Sequence, residues 1–85
     1  MKHAGETALD QLEPLLARVR ALPGLIEKKR GVFYRKSRAF LHFHEDPMGL
    51  FGDDRAADDR DFDRFHVSHG EADALIAAAQ ARLKA

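Results

Sequence analysis

The 85-residue chain contains no cysteine and no tryptophan. Without cysteine it has no disulfides, no thiol nucleophile and no cysteine-ligated zinc. No apolar run approaches the roughly 20 residues of a bilayer-spanning helix, and the N-terminal sequence MKHAGETALD lacks the apolar segment of a secretory signal. We therefore expect a cytoplasmic protein with no membrane segment. A chain of this length is predicted to be a single domain covering residues 1–85.

Charge of neither sign dominates, because 14 basic residues balance 14 acidic ones. The two signs are separated along the chain, however. Residues 28–44 include six basic side chains and no acidic one, whereas residues 45–63 include eight acidic side chains and two arginines. Within the acidic part, residues 53–61 read DDRAADDRD and are predicted to form a mobile, solvated loop. A calcium loop starting at Asp59 is excluded, since Arg64 and Gly70 stand where glycine and glutamate are needed.

Two segments have the apolar spacing of amphipathic helices. The first is predicted to run from Thr7 or Asp10, the latter opening a possible capping box, to Leu22, where Pro23-Gly24 ends it. The second follows Ser68-His69-Gly70-Glu71, which has the form of a capping box. Its apolar stripe consists of Ala72, Leu75, Ile76, Ala79 and Leu83.

Between the helices, aromatic and β-branched residues predict strands. Residues 32–35 and 39–44 are expected to form a hairpin, with further strands at residues 25–28 and 62–67. A short helix is expected after Asp46-Pro47, ending near Gly52. The order α-β-β-β-(short α)-β-α predicts an α+β fold, a small antiparallel sheet of three to four strands with the N-terminal and C-terminal helices packed on one face. The predicted core is Leu12, Leu16, Val19, Leu41, Phe43, Phe65, Val67, Leu75, Ile76 and Leu83.

Three short motifs resemble those of a known family. They are Leu22-Pro23-Gly24-Leu25, Gly31-Val32-Phe33 and Arg38-Ala39-Phe40-Leu41. Together with the element order, they are similar to the MmcQ/YjbR-like family of small bacterial proteins of unknown function. The resemblance implies a double-wing fold, for which DNA binding has been proposed, and it implies no catalytic residues. This chain is shorter and lacks the tryptophan-containing segment of that family, so a nucleic-acid surface built on that segment does not carry over.

Alternation along the strands predicts an uncovered sheet face rich in histidine and arginine. On the second hairpin strand, Ala39, Leu41 and Phe43 share one face while Phe40, His42 and His44 share the other. The main functional hypothesis is therefore a small binding module that uses this face for an anionic ligand or an acidic partner. Pairing of two copies through a sheet edge is an open possibility. The candidate ligand-binding residues are His42, His44, Arg64, His66 and Tyr34.

Two alternatives remain open from the sequence. A nucleic-acid-binding domain would use the basic block, although a neutral chain with an isoelectric point near 7 is unlike most DNA binders. A metal site would use His42 and His44, with His66 as a third ligand. No nucleophile-elbow or phosphate-loop sequence is present, so we predict a protein that is not an enzyme and needs no cofactor. The candidate nucleic-acid-binding residues are Lys28, Lys29, Arg30, Arg35, Lys36 and Arg38.

Overall fold

The computed structural model describes residues 2–55 and 60–84. Two helices share a core with one face of an antiparallel sheet, which confirms the predicted α+β class. Neither helix in the described ranges is long and apolar enough to cross a membrane. The elements in chain order are β1 (Lys2–His3), α1 (Glu6–Arg20), β2 (Ile26–Lys29), β3 (Val32–Arg35), β4 (Arg38–Asp46), β5 (Gly49–Arg55), β6 (Phe62–Phe65), a 3-10 helix (Val67–His69) and α2 (Ala72–Lys84).

The sheet has more strands than the three to four predicted. Its order is β2-β3-β4-β5-β6, and β1 pairs with the far end of β4. All of these pairings are antiparallel. The nine-residue β4 is central because it is long enough to pair with β5 on one side and with both β3 and β1 on the other.

The strand β5 replaces the short helix expected after Asp46-Pro47. Asp46 does not cap a helix, because its Oδ1 accepts a hydrogen bond from the Met48 amide at 2.8 Å and closes a tight turn. The chain then returns along β4 from Gly49, whose φ of 138° favours glycine. A Cβ at that position would lie 2.5 Å from Nε2 of His66. Because the turn reverses the chain direction, residues 49–55 pair with β4 as an antiparallel strand.

The predicted acidic loop at residues 53–61 is also corrected in part. Asp53 and Asp54 belong to β5 and are buried, and Arg55 ends that strand. Residues 56–59 lie outside the described residues, and Arg60 and Asp61 are exposed. The sequence did not predict this strand, because β5 has few apolar side chains and consecutive aspartates are typical of solvated loops. Both aspartates are nevertheless buried.

Neither predicted capping box caps its helix. The helix α1 begins at Glu6 with Gly5 as N-cap, so Asp10 lies within the helix and does not cap it. Ser68 does not cap α2, because it lies in the 3-10 helix, where its Oγ accepts a hydrogen bond from the Leu50 amide at 3.0 Å. The left-handed Gly70, with φ of 93°, separates that turn from α2.

The core lies between the helices and the sheet, and most of the predicted core residues are buried in it. Phe65 and Leu83 are only partly buried against it. Phe40 was predicted on the uncovered face, but it is 1% exposed and belongs to the core. The cause is a β-bulge: Phe33 pairs with Leu41 and Tyr34 pairs with Ala39, which leaves Phe40 as an extra residue. The buried hydrophobic residues of the cluster are Leu9, Leu12, Leu15, Leu16, Val19, Leu22, Phe33, Phe40, Leu41, Phe43, Val67, Leu75, Ile76 and Ala79.

Candidate functional site

The face of the sheet opposite the helices, which we call the open face, carries the polar side chains of β4 and its neighbours. The strand register places them in rows. His42 lies opposite Asp53, which in turn lies opposite Arg64 on β6. The next row places His44 between His3 of β1 and Phe51 of β5. Alternation on β4 therefore brings two histidines to one face, and the pairing of β1 adds a third.

The imidazoles of His3, His42 and His44 form a cluster, and one ring nitrogen of each lies within 4.8 Å of the other two. The ring centroids of His42 and His44 are 4.8 Å apart, and the ring of His3 lies 4.8 Å from that of His44 and 5.9 Å from that of His42. His42 and His44 are half-buried, while His3 is exposed. The cluster is therefore anchored in the sheet on one side and open to solvent on the other.

A buried carboxylate lies beside the cluster. Asp53 is 5% exposed, and it accepts two hydrogen bonds from Arg64, from Nε to Oδ1 at 2.9 Å and from Nη2 to Oδ2 at 3.1 Å. The same Oδ2 is 3.2 Å from Nδ1 of His44, within hydrogen-bond distance but away from the ideal angle. A buried charge needs such partners, and here Arg64 fixes the carboxylate against the His44 ring.

Burial favours the neutral form of the two β4 histidines. It lowers the pKa of His42 below the usual value, and the neighbouring His44 lowers it further. Burial also lowers the pKa of His44, with the charge of Asp53 acting in the opposite direction. Nδ1 of His42 is buried and has no hydrogen-bond partner among the described residues. Neutral imidazole with an available nitrogen is the form that binds a metal ion.

The cluster fits a transition-metal ion of the kind that imidazole prefers, such as Zn²⁺. With zinc–nitrogen bonds of about 2.0–2.1 Å, the nitrogens of a tetrahedral site lie about 3.3 Å apart. The present separations of up to 4.8 Å are wider. An ion would therefore draw the three rings together, and the exposed His3 on the two-residue β1 is the ligand with the most room to move. Asp53 lies close enough to His44 to orient it as a metal ligand once a hydrogen bond from Nδ1 forms, a bond that the present ring angle does not make.

The remaining sequence-predicted site residues lie elsewhere. His66 stacks on Phe51 with ring centroids 4.3 Å apart and contacts His69, so the cluster contains His3 in its place. Tyr34 is half-buried, and its ring lies under the ammonium of Lys28 at 4.5 Å.

The basic block, the six basic residues between positions 28 and 38, is divided between the two ends of β3. Lys28, Lys29 and Arg30 precede the strand. Arg35 is its last residue, and Lys36 and Arg38 follow it, so the two groups are about 10 Å apart along the strand. Arg30 donates hydrogen bonds to three carboxylates of α1. The charge of Arg30 is therefore compensated by the acidic residues of α1.

Sequence reasoning missed His3 and Asp53. His3 is too close to the chain start to belong to any periodic pattern, and only its pairing with His44 reveals it. Asp53 was hidden within a run of acidic residues. A histidine pair on one strand face was the only signal for this site in the sequence.

No family model, no curated protein and no solved structure matches this chain. The resemblance to the MmcQ/YjbR-like family therefore stays a prediction.

Proposed function

We propose that this protein is a small metal-binding module in which His3, His42 and His44 hold one divalent transition-metal ion such as Zn²⁺. The observation that carries the proposal is the approach of one nitrogen from each ring to within 4.8 Å of the others. Three histidines are a known protein ligand set for zinc and leave a coordination position for a further ligand.

The surroundings of the cluster support the same proposal. The carboxylate of Asp53 lies 3.2 Å from Nδ1 of His44, which would leave Nε2 of that ring for the ion. The chain has no cysteine, so the histidine imidazoles are the side chains best suited to bind a transition-metal ion. These features favour zinc and similar first-row transition metals over the hard cations calcium and magnesium, which prefer oxygen ligands.

An anionic ligand on the open face, the main hypothesis from the sequence, has weaker support. Arg64 would have been its principal cation, but both of its hydrogen bonds described above go to the buried Asp53. An anion would have to compete with that bidentate ion pair. The half-buried His42 and His44 are also poor cations, because burial disfavours their charged forms.

Calorimetric titration with zinc chloride tests the proposal, using protein from which any histidine tag has been removed. We expect one Zn²⁺ ion per chain. The substitution His42→Ala removes a half-buried ligand and is expected to weaken binding by at least about 100-fold, beyond the 10–100-fold typical of changes outside the ligand set. His3→Ala should weaken binding comparably.

The variant His66→Ala is the matched control, because it removes a histidine from the same face that lies outside the cluster. It should bind Zn²⁺ as the wild type does. Equal affinities in the wild type and His42→Ala would contradict the proposal, as would an equal loss in His66→Ala. Circular dichroism of each variant would show that it is folded.

A further inference from the structure

A cavity of about 320 Å³ lies in the gap between β1 and β3, next to the histidine cluster. Both strands pair with the same edge of β4, β3 with residues 38–42 and β1 with residues 44–45. Phe43 falls between the two pairings, where its carbonyl accepts a hydrogen bond from the Ala4 amide at 3.1 Å. His3 belongs both to the lining of the cavity and to the cluster, so the cavity adjoins the proposed ion site.

Much of the lining of this cavity is apolar. Leu9 and Phe43 belong to the buried core, and Ala4 packs against that core. Val32 is half-buried at the start of β3. An apolar lining with a few polar groups, in a volume at the lower end of the usual range, is typical of a site for a small molecule.

The strand register places a cation of the lining in the same row as His42. Lys29 lies opposite Val32, and Val32 lies opposite His42. Residues that are directly opposite on antiparallel strands share one face of the sheet. Because neighbouring strands are about 4.8 Å apart, the backbones of Lys29 and His42 are about 10 Å apart with Val32 between them. The flexible four-carbon stem of a lysine can bring its ammonium above Val32.

Lys29 is the basic residue of the lining that is available to a ligand. The other one, Arg30, donates hydrogen bonds to three carboxylates of α1, which compensate its charge. Lys29 is exposed, and its ammonium has no partner among the residues that the structure describes. A divalent ion held by three neutral imidazoles would keep its full charge. Two positive centres would then flank the apolar surface of Val32.

We propose that the ion and this cavity together bind a small carboxylic acid with an apolar body. The inference rests on the proposed metal site. One carboxylate oxygen would take the coordination position that three histidines leave open, and the other would accept a charge-assisted hydrogen bond from Lys29. The apolar body would cover Val32 and enter the cavity. The ion replaces Arg64 as the principal cation for the anion, so the ion pair between Arg64 and Asp53 stays intact.

Titration of the cobalt-loaded protein with two carboxylates tests the proposal. Co²⁺ replaces Zn²⁺ because its visible absorption spectrum changes when a ligand enters the coordination sphere. Sodium benzoate and sodium acetate share the carboxylate and differ in the apolar body. The dissociation constant of benzoate is expected to be at least about tenfold lower, because the cavity removes the phenyl ring from water. Acetate is the more basic of the two, so a preference for benzoate must come from the cavity.

Two variants, each with a matched control, separate the cavity from the cation. Val32→Phe fills the cavity and should weaken benzoate binding about tenfold while leaving acetate binding unchanged. Ile26→Phe makes a similar change at an exposed position of β2 and should bind both anions as the wild type does. Lys29→Gln should weaken the binding of both anions about fivefold, the upper end for an exposed ion pair. Lys28→Gln is its control, because that ammonium lies over the Tyr34 ring and outside the lining.

The outcomes distinguish this inference from the metal-binding proposal on which it rests. Equal affinities for benzoate and acetate, in a wild type that binds the ion, would overturn this inference alone. A wild type that binds neither Zn²⁺ nor Co²⁺ would overturn both. The inference also fails if Val32→Phe binds benzoate as tightly as Ile26→Phe does, or if Lys29→Gln and Lys28→Gln bind it equally. Lys29 is exposed, so its variant tests the site even if Val32→Phe does not fold.

Discussion

Replacing Phe40 by alanine is expected to lower the free energy of unfolding by about 3–5 kcal/mol, the usual cost of truncating a buried phenylalanine. The side chain is 1% exposed and packs in the core cluster. It reaches the core only because the β-bulge in β4 adds a residue between Ala39 and Leu41. The truncation would leave a cavity next to Leu41, which is itself fully buried. This loss is a large part of the ~5–15 kcal/mol that stabilises a typical domain.

Urea unfolding followed by circular dichroism measures this loss, with Met48→Ala as the control. Met48 is 70% exposed in the turn between β4 and β5, so its truncation should change the stability by no more than about 0.5 kcal/mol. Strict alternation along β4 would place Phe40 on the open face, where truncation costs little. A Phe40→Ala variant as stable as Met48→Ala would therefore argue against the bulge.

Replacing Asp54 by asparagine is expected to stabilise the protein increasingly as the pH rises. Asp54 is 1% exposed, and its Oδ1 has no hydrogen-bond partner among the described residues. Burial raises the pKa of Asp54 to about 7, and the neighbouring Asp63 adds to the effect, while Arg82 opposes it. An unfolded aspartate titrates near 3.9, so the folded state binds the proton more tightly. The stability that the protonated carboxyl provides is fully present below about pH 4 and is lost as the pH rises through 7.

The free energy of unfolding of Asp54→Asn, relative to that of the wild type, is expected to increase between pH 5 and pH 8 by an amount on the order of 2–3 kcal/mol. Urea unfolding of both proteins at several pH values measures it. The titration of His42 and His44 affects both proteins alike and cancels in the difference. Met48→Ala, which changes an exposed side chain that does not titrate, should keep the pH dependence of the wild type. Parallel stability profiles for wild type and Asp54→Asn would show that the Asp54 carboxyl is ionised at little cost.

The two helices and the central hairpin could be predicted because their signals are local. Leu12, Leu16 and Val19 recur at helical spacing, and their burial follows from that spacing alone. The aromatic residues of β3 and β4 likewise indicated strands. Helix ends were predicted less well, since Gly5 and Gly70 act through backbone conformation, which side-chain patterns do not report.

The strands β1 and β5 could not be predicted, because their stability comes from pairing with β4 and not from their own residues. Lys2 and His3 have no strand signal, and β5 reads GLFGDDR, with glycine and aspartate where strands usually carry branched residues. The site depends on both strands. The sequence therefore indicated two of the three histidines of the cluster, His42 and His44, and the third follows only from the strand register.

The shortness of β1 couples the proposed ion to the order of the chain start. Two residues pair with β4, and the amide of Ala4 donates to the carbonyl of Phe43 at 3.1 Å. An ion shared by His3 with His42 and His44 would fasten this segment to the middle of the sheet, so that metal release and detachment of the strand become linked equilibria. Hydrogen exchange at the Ala4 amide would then report the occupancy of a site to which Ala4 itself contributes no ligand.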